Sequence, residues 1–82
     1  MANVREYTVG EWAEFDGLTV EEEIEDFACV HGNPVKFFGS EDEEAAVAGV
    51  QYEDGTFGAF GAGMEFVGIT KEMMYDAIEA GF

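Results

Sequence analysis

The chain has 82 residues, of which 19 are Asp or Glu and three are Lys or Arg, so its formal net charge at pH 7 is -16. A surface this negative excludes nucleic acid and anionic membranes as attractive partners and favours basic surfaces or cations. Because 48% of the residues are hydrophobic and 15% are aromatic, the composition indicates a folded chain rather than a disordered one. We expect one compact domain over residues 1–82.

The cysteine content and the lack of long apolar segments bear on localisation. Cys29 is the only cysteine, so no disulfide can form within the chain, as is usual in a reducing cytoplasm. The first residues contain no apolar signal-peptide core, and no stretch approaches 18 apolar residues. The sequence therefore predicts a cytoplasmic protein, in the host cell cytoplasm if it is phage-encoded.

The first elements are a strand and an ambiguous segment. Residues 3–9, "NVREYTV", predict a strand in which alternate side chains face opposite sides. In "GEWAEFDGL", Trp12 and Phe15 have the spacing of a helical turn, but Gly10 and Gly17 bracket them closely. These residues therefore predict neither a helix nor a strand unambiguously.

The clearest element is a helix in "TVEEEIEDFACVHG", residues 19–32. Thr19 and Glu22 have the T-x-x-E spacing of a capping box, and Gly32 is a suitable C′ residue. The helical spacing predicts one apolar stripe that contains Val20, Ile24, Phe27, Ala28 and His31.

Strands follow in the second half of the chain. Residues 35–38, "VKFF", predict a short strand, and Asp54-Gly55 predicts a hairpin turn between "VAGVQY" and "TFGAF". "MEFVGI" adds another strand. Ser40 and Glu43 have the spacing to cap a brief helix, and Thr70 caps a terminal helix in "KEMMYDAIEAG". We therefore predict an α+β fold, in which a small antiparallel β-sheet of about three to five strands is packed on one face by two short helices.

Nothing in the sequence predicts catalysis, a metal site or a cofactor. His31 is the only histidine, and no Ser or Cys is placed to form a nucleophile pair with it, so we expect a structural role. Acidic neighbours disfavour a Cys29 thiolate. The acidic loops lack the spacing of a calcium-binding loop. The glycine run from residue 55 to residue 68 has Phe66 where a dinucleotide fingerprint needs its third glycine. The sequence therefore predicts that the protein is not an enzyme.

The acidic residues are the candidate functional residues. In the predicted helix at residues 19–32 the helix dipole offsets much of the repulsion among first-turn glutamates, so this helix alone proves nothing. The whole chain is more informative, since a charge magnitude of about 2–8 is enough for solubility in a small domain. The predicted partner-binding residues are Glu21, Glu22, Glu23, Glu25, Asp26, Glu41, Asp42, Glu43, Glu44, Glu53 and Asp54.

In size, charge, lack of catalytic residue types and α+β pattern, the whole chain resembles the small acidic proteins with which phages block host defence. These include anti-CRISPR proteins, anti-restriction proteins and uracil-DNA glycosylase inhibitors. The resemblance rests on these properties and not on a motif. It implies a non-enzymatic inhibitor that mimics nucleic-acid charge and binds in the DNA or RNA site of a basic nucleic-acid-binding protein, with a CRISPR effector complex as the first choice.

Two alternatives remain. A halophile-adapted or generic acidic domain also has an acidic surface, and it would need molar salt to fold. An acidic protein-interaction module, such as an antitoxin, would bind a partner through apolar as well as charged groups, and Trp12, Phe15 or Tyr52 would then matter more than any single glutamate.

Overall fold

The fold is α+β, as predicted. A computed structural model describes residues 4–29, 31–40, 47–61 and 63–80. In chain order, the described residues form the strands and helices β1 (Val4–Tyr7), α1 (Val9–Asp16), α2 (Val20–Ala28), β2 (Pro34–Ser40), β3 (Val47–Tyr52), β4 (Phe57–Gly61), β5 (Met64–Ile69) and α3 (Lys71–Ala80). The predicted cap of a brief helix at Ser40 and Glu43 falls mostly on residues 41–46, which lie outside the described part.

The strands form one antiparallel sheet in the order β1-β2-β3-β4-β5, so each strand pairs with its neighbours in the chain. The hairpin predicted at Asp54-Gly55 joins β3 to β4, with Gln51 opposite Phe57. Gly55 has a φ of 89°, a left-handed conformation that glycine adopts without steric cost. This local turn chemistry sets the register of the central strands.

Helices pack on both faces of the sheet, and the prediction of one covered face is wrong. On one face Phe37, Val50 and Tyr52 are buried beneath side chains of α1 and α2. On the other face Phe38 and Met74 belong to a second buried cluster, which α3 covers. The physical reason is the adjacent pair Phe37 and Phe38, because successive strand residues point to opposite faces. Leaving one of them exposed would forgo roughly 2–3 kcal/mol of burial.

A glycine in β3 allows α3 to approach the sheet closely. A Cβ atom added to Gly49 would lie 2.6 Å from Cγ of Met74, a distance that real Cβ atoms do not tolerate. Met74 and Ile78 are buried here. Thr70 caps the helix as predicted, because its hydroxyl oxygen accepts a hydrogen bond from the Met73 N–H at 3.1 Å.

The segment that the sequence left ambiguous is helix α1. Thr8 and Glu11 form a complete capping box, and Gly17 ends the helix with a φ of 72°. The Trp12 ring stacks on Phe37 with 5.2 Å between ring centroids. The two bracketing glycines are therefore compatible with a helix of two turns, which is held by its cap and by Trp12.

Helix α2 begins where predicted and ends earlier. The Thr19–Glu22 capping box is complete, but Cys29 is the C-cap residue, so Gly32 is not the C′ residue and His31 lies beyond the helix. The predicted apolar stripe is only partly correct, since Val20 is 45% exposed whereas Glu23 is 1% exposed. Glu23 and Phe27 are four residues apart and share the inward face.

Candidate functional site

Helices α1 and α2 present about half of the exposed carboxylates among the described residues in one part of the chain. Between Thr8 and Cys29 the sequence contains no Lys or Arg. Residues three or four apart on one helix have Cβ atoms about 5–6 Å apart, so Glu21 and Glu25 form a row along α2. We use the name acidic helix surface for the exposed residues Glu11, Glu14, Asp16, Glu21, Glu22, Glu25 and Asp26.

Two members of this surface also cap helices. A carboxylate oxygen of Glu11 accepts a hydrogen bond from the Thr8 N–H at 3.0 Å, and Glu22 accepts one from the Thr19 N–H at 3.0 Å. Hydrogen bonds from the backbone and then the side chain of Thr8 lower the pKa of Glu11, and those of Thr19 lower the pKa of Glu22. Both remain negatively charged near neutral pH, but their positions are fixed by the caps.

Glu23 does not belong to the acidic helix surface, which corrects its prediction as a partner-binding residue. It is buried, and its Oε1 atom has no hydrogen-bond partner. Burial, followed by a hydrogen bond with Asp16 and the charges of Asp16 and Asp26, raises the pKa of Glu23 to about 8. Glu23 is therefore mostly protonated at neutral pH and contributes little negative charge.

The basic side chains lie on the sheet and on α3, and each has an interaction there. Nζ of Lys36 is 3.6 Å from Oε1 of Glu6. Arg5 lies 5.5 Å from the ring centroid of Tyr7, and Lys71 has a similar position over an α3 tyrosine. Lys36 and Lys71 lie on elements other than α1 and α2, so they leave the carboxylates of α2 without a basic neighbour along the helix.

Glu53 and Asp54, which the sequence predicted as partner-binding residues, are exposed at the β3–β4 turn and do not belong to α1 or α2. Oδ1 of Asp54 accepts hydrogen bonds from the Thr56 hydroxyl at 2.6 Å and from the Thr56 N–H at 3.0 Å. The side-chain bond from Thr56, followed by the backbone bond, lowers the pKa of Asp54. Asn33 donates to Oε1 of Glu53 at 3.4 Å. These carboxylates organise the turn as well as adding charge.

His31, Thr56 and Asp54 form a cluster that the sequence did not predict. Nε2 of His31 lies 3.0 Å from the Thr56 hydroxyl oxygen and 3.5 Å from Oδ2 of Asp54. The only hydroxyl proton of Thr56 is donated to the ionised Asp54, so the oxygen can only accept from His31. His31 therefore donates and is not placed as a general base for Thr56. The sequence pattern predicted that His31 lies on the apolar stripe of a helix, so it gave no reason to expect this cluster.

The other predicted contact residues divide by exposure and by position. Phe15 is 68% exposed between acidic neighbours, whereas Tyr52 is 1% exposed and so cannot contact a partner. Trp12 is half-buried against Phe37. Glu41, Asp42, Glu43 and Glu44 lie outside the described residues.

Within the described ranges, no three or more His, Cys, Asp or Glu side chains are grouped to hold a metal ion. In the same ranges, no helix has the length and apolar character needed to span a membrane. Comparison with known proteins gives no matching family model, no matching curated protein and no matching solved structure.

Proposed function

We propose that this protein is a non-enzymatic inhibitor whose acidic helix surface mimics nucleic-acid charge. This surface occupies the DNA- or RNA-binding site of a basic partner. Among such partners, the preferred candidate is a CRISPR effector complex of a host defence system. The observation that supports the proposal is the stretch from Thr8 to Cys29. It presents seven exposed carboxylates and contains no Lys or Arg.

The carboxylates of α2 form rows of negative charge, as phosphates do along a nucleic-acid strand. Each strand of duplex DNA carries one negative charge per roughly 3.4 Å of helix axis, and proteins bind it with clefts lined by Lys and Arg. Glu21 and Glu25 are one helical turn apart, as are Glu22 and Asp26, with about 5–6 Å between Cβ atoms. Two adjacent rows of charge on a rigid helix therefore offer such a cleft several simultaneous contacts.

The net charge supports rapid, salt-sensitive binding. At -16, the chain attracts a basic partner over a distance set by the Debye length, about 10 Å in 0.1 M salt. Steering of this kind accelerates association and is weakened by added salt. A halophile-adapted domain would behave differently, because it would need high salt to fold. It would show no cooperative thermal unfolding at about 50 mM NaCl, within the low-salt regime.

One observation favours the second candidate, an acidic protein-interaction module such as an antitoxin. Phe15 is the most exposed of the large hydrophobic side chains described, and it lies between Glu14 and Asp16. Aromatic side chains are common anchors at protein interfaces. If Phe15→Ala weakens binding more than any change of charge does, this second candidate is favoured.

Paired variants test the proposed function. Glu21→Gln with Glu25→Gln removes a row of two charges from α2 and leaves its capping box intact. Glu72→Gln with Asp76→Asn removes a row of the same spacing from α3. We expect the α2 variant to inhibit DNA binding by CRISPR effectors about tenfold less well, a change of about 1.4 kcal/mol in binding free energy, and the α3 variant to inhibit nearly as wild type.

The interpretation requires that both variants remain folded, which circular dichroism and thermal melts would establish. Full inhibition by the α2 variant, or equal losses in the two variants, would contradict a specific role of the acidic helix surface. Equal losses would instead indicate that only the net charge matters.

A further inference from the structure

Two carboxyl groups meet between helices α1 and α2, and the proposed function makes no use of their contact. Asp16 is the last residue of α1, and Glu23 lies on α2. The two side chains are hydrogen bonded to each other. Because an ionised carboxylate can only accept hydrogen bonds, one of the two groups must carry a proton. We use the name carboxyl pair for Asp16 and Glu23, which share this proton.

One oxygen atom of the carboxyl pair is buried and unsatisfied. Glu23 is 1% exposed, and its Oε1 atom has no hydrogen-bond partner. Native proteins satisfy nearly all buried polar atoms with a protein group, a water molecule or an ion. Between described residues, no ion pair includes Asp16 or Glu23. Oε1 of Glu23 is therefore an oxygen ligand that no protein group uses.

The charges around the carboxyl pair favour a cation. Both charges that act on the Glu23 carboxyl group, those of Asp16 and Asp26, are negative. The last turn of α1, where Asp16 lies, contains no basic residue. The C-terminal end of a helix carries a partial negative charge that attracts cations. Two acids, a third nearby charge and a helix end therefore act in the same direction.

The basic residues of the strands beside these helices lie elsewhere. The charge of Arg5 acts on Glu11, which is in the first turn of α1 and not in the last. Lys36 directly precedes Phe37, whose ring faces α1 and α2. Since successive strand residues point to opposite faces, Lys36 points away from the carboxyl pair. Neither base therefore neutralises this pair.

The hydrogen-bonded geometry of the carboxyl pair suits Mg²⁺ better than a larger cation. Mg²⁺ is octahedral, with oxygen ligands at about 2.0–2.1 Å, and usually binds one or two carboxylates and several waters. Adjacent oxygens of such an octahedron are about 2.9 Å apart, close to the roughly 2.5–2.7 Å of a charge-assisted hydrogen bond between carboxyl groups. Ca²⁺, with ligands at about 2.3–2.6 Å, needs a wider separation and more oxygen ligands.

We propose that Glu23 and Asp16 bind one Mg²⁺ ion, which bridges α2 and α1. The ion takes the place of the shared proton, and this proton is released to the solvent. Glu23 supplies the buried Oε1, the exposed Asp16 supplies the second carboxylate, and water molecules complete the octahedron. The bound ion holds together the two helices that carry the acidic helix surface.

Thermal melts of the metal-free full chain at about pH 7 test this site. About 20 mM MgCl₂ is compared with NaCl at the same ionic strength, so that screening is matched. We expect the midpoint to be about 4–8 °C higher in MgCl₂, as for an ion present at a few times its dissociation constant. Glu23→Gln and Asp16→Asn each remove one ligand and should abolish this difference. Glu25→Gln removes the same charge from an exposed position of α2 and should retain it.

Two further readouts separate Mg²⁺ binding from a general effect on stability. Because the ion displaces a proton, adding MgCl₂ to weakly buffered protein at about pH 7 should release about one proton per chain, and Glu23→Gln should release almost none. Mn²⁺ is a paramagnetic substitute that also prefers octahedral oxygen ligands. Trace MnCl₂ should broaden the amide signals of Asp16 and Glu23 before those of Glu53 and Asp54.

Four results would overturn the proposal. The first is an equal midpoint in MgCl₂ and NaCl, and the second is a Mg²⁺ effect that persists in both Glu23→Gln and Asp16→Asn, which would identify a diffuse counterion. The third is the absence of proton release from the wild type. The fourth is Mn²⁺ broadening that is strongest at Glu53 and Asp54, which would place the ion at the β3–β4 turn.

Discussion

Replacing Glu23 by glutamine tests how a carboxyl group is accommodated inside the most acidic part of the molecule. Glu23 is 1% exposed, and its Oε1 atom lacks a hydrogen-bond partner. Glutamine has nearly the same shape as a protonated glutamate and cannot ionise. The variant should therefore keep the packing between α1 and α2 and remove the cost of a buried charge.

The magnitude follows from the pKa. The pKa of Glu23 rises from 4.5 to about 8 on folding, and each pKa unit corresponds to about 1.4 kcal/mol. Full ionisation in the unrelaxed fold would therefore cost roughly 5 kcal/mol. Water entry and movement of α2 reduce this cost, and we expect about 2–3 kcal/mol to be observed, a large share of the 5–15 kcal/mol typical of a folded domain.

The sign of the pH dependence is also determined. A raised pKa in the folded state gives stability that is fully present below pH about 4.5 and is lost as pH rises to about 8. Urea unfolding of both proteins at about pH 5, 7 and 9 measures the difference. We expect Glu23→Gln to match the wild type or be slightly less stable at pH 5 and to be clearly more stable at pH 9.

The exposed residue Glu25 on the same helix provides the control, since Glu25→Gln should change stability little at any pH. If wild type and Glu23→Gln differ in free energy of unfolding by the same amount at all three pH values, Glu23 does not titrate as a buried group. Its placement between α1 and α2 would then be wrong.

Two further substitutions test the helix cap and the close helix approach. Thr19→Ala should cost about 1 kcal/mol in urea unfolding by removing the N-cap of α2, and no loss would indicate that the capping box has no net effect on stability. Gly49→Ala should cost about 1–3 kcal/mol because the new Cβ meets Met74. Gly32→Ala is the matched control, since no atom lies within 4 Å of its added Cβ, and equal effects at the two glycines would contradict the close packing of α3.

The parts of the fold that depend on local chemistry could be predicted from the sequence. The turn at Asp54-Gly55 and the start of α2 at Thr19 both follow from residues a few positions apart, and both are found where predicted. Helix α1 had an equally local signal in Thr8 and Glu11, the same T-x-x-E spacing. The glycines beside it obscured that signal.

The features that depend on tertiary packing could not be predicted in this way. Helical periodicity placed Glu23 among the exposed acids, but the rotation of α2 against its neighbours is set by contacts such as that of Phe27 with Phe37, at 5.0 Å between ring centroids. His31 likewise contacts Thr56 across 25 residues of sequence. Composition identified the acidic residues, and the fold selects which of them are exposed.

The most direct test of the central proposal is competition for a nucleic-acid site. A labelled DNA target is bound to a CRISPR effector complex at low salt, and the chain is titrated in while DNA release is followed by fluorescence anisotropy. We predict complete release that requires proportionally more protein as DNA concentration rises, and that is weakened by salt and by Glu21→Gln with Glu25→Gln. DNA that stays bound to the effector together with the chain, or release that is unchanged in this variant, would contradict the proposal that the acidic helix surface takes the place of nucleic acid.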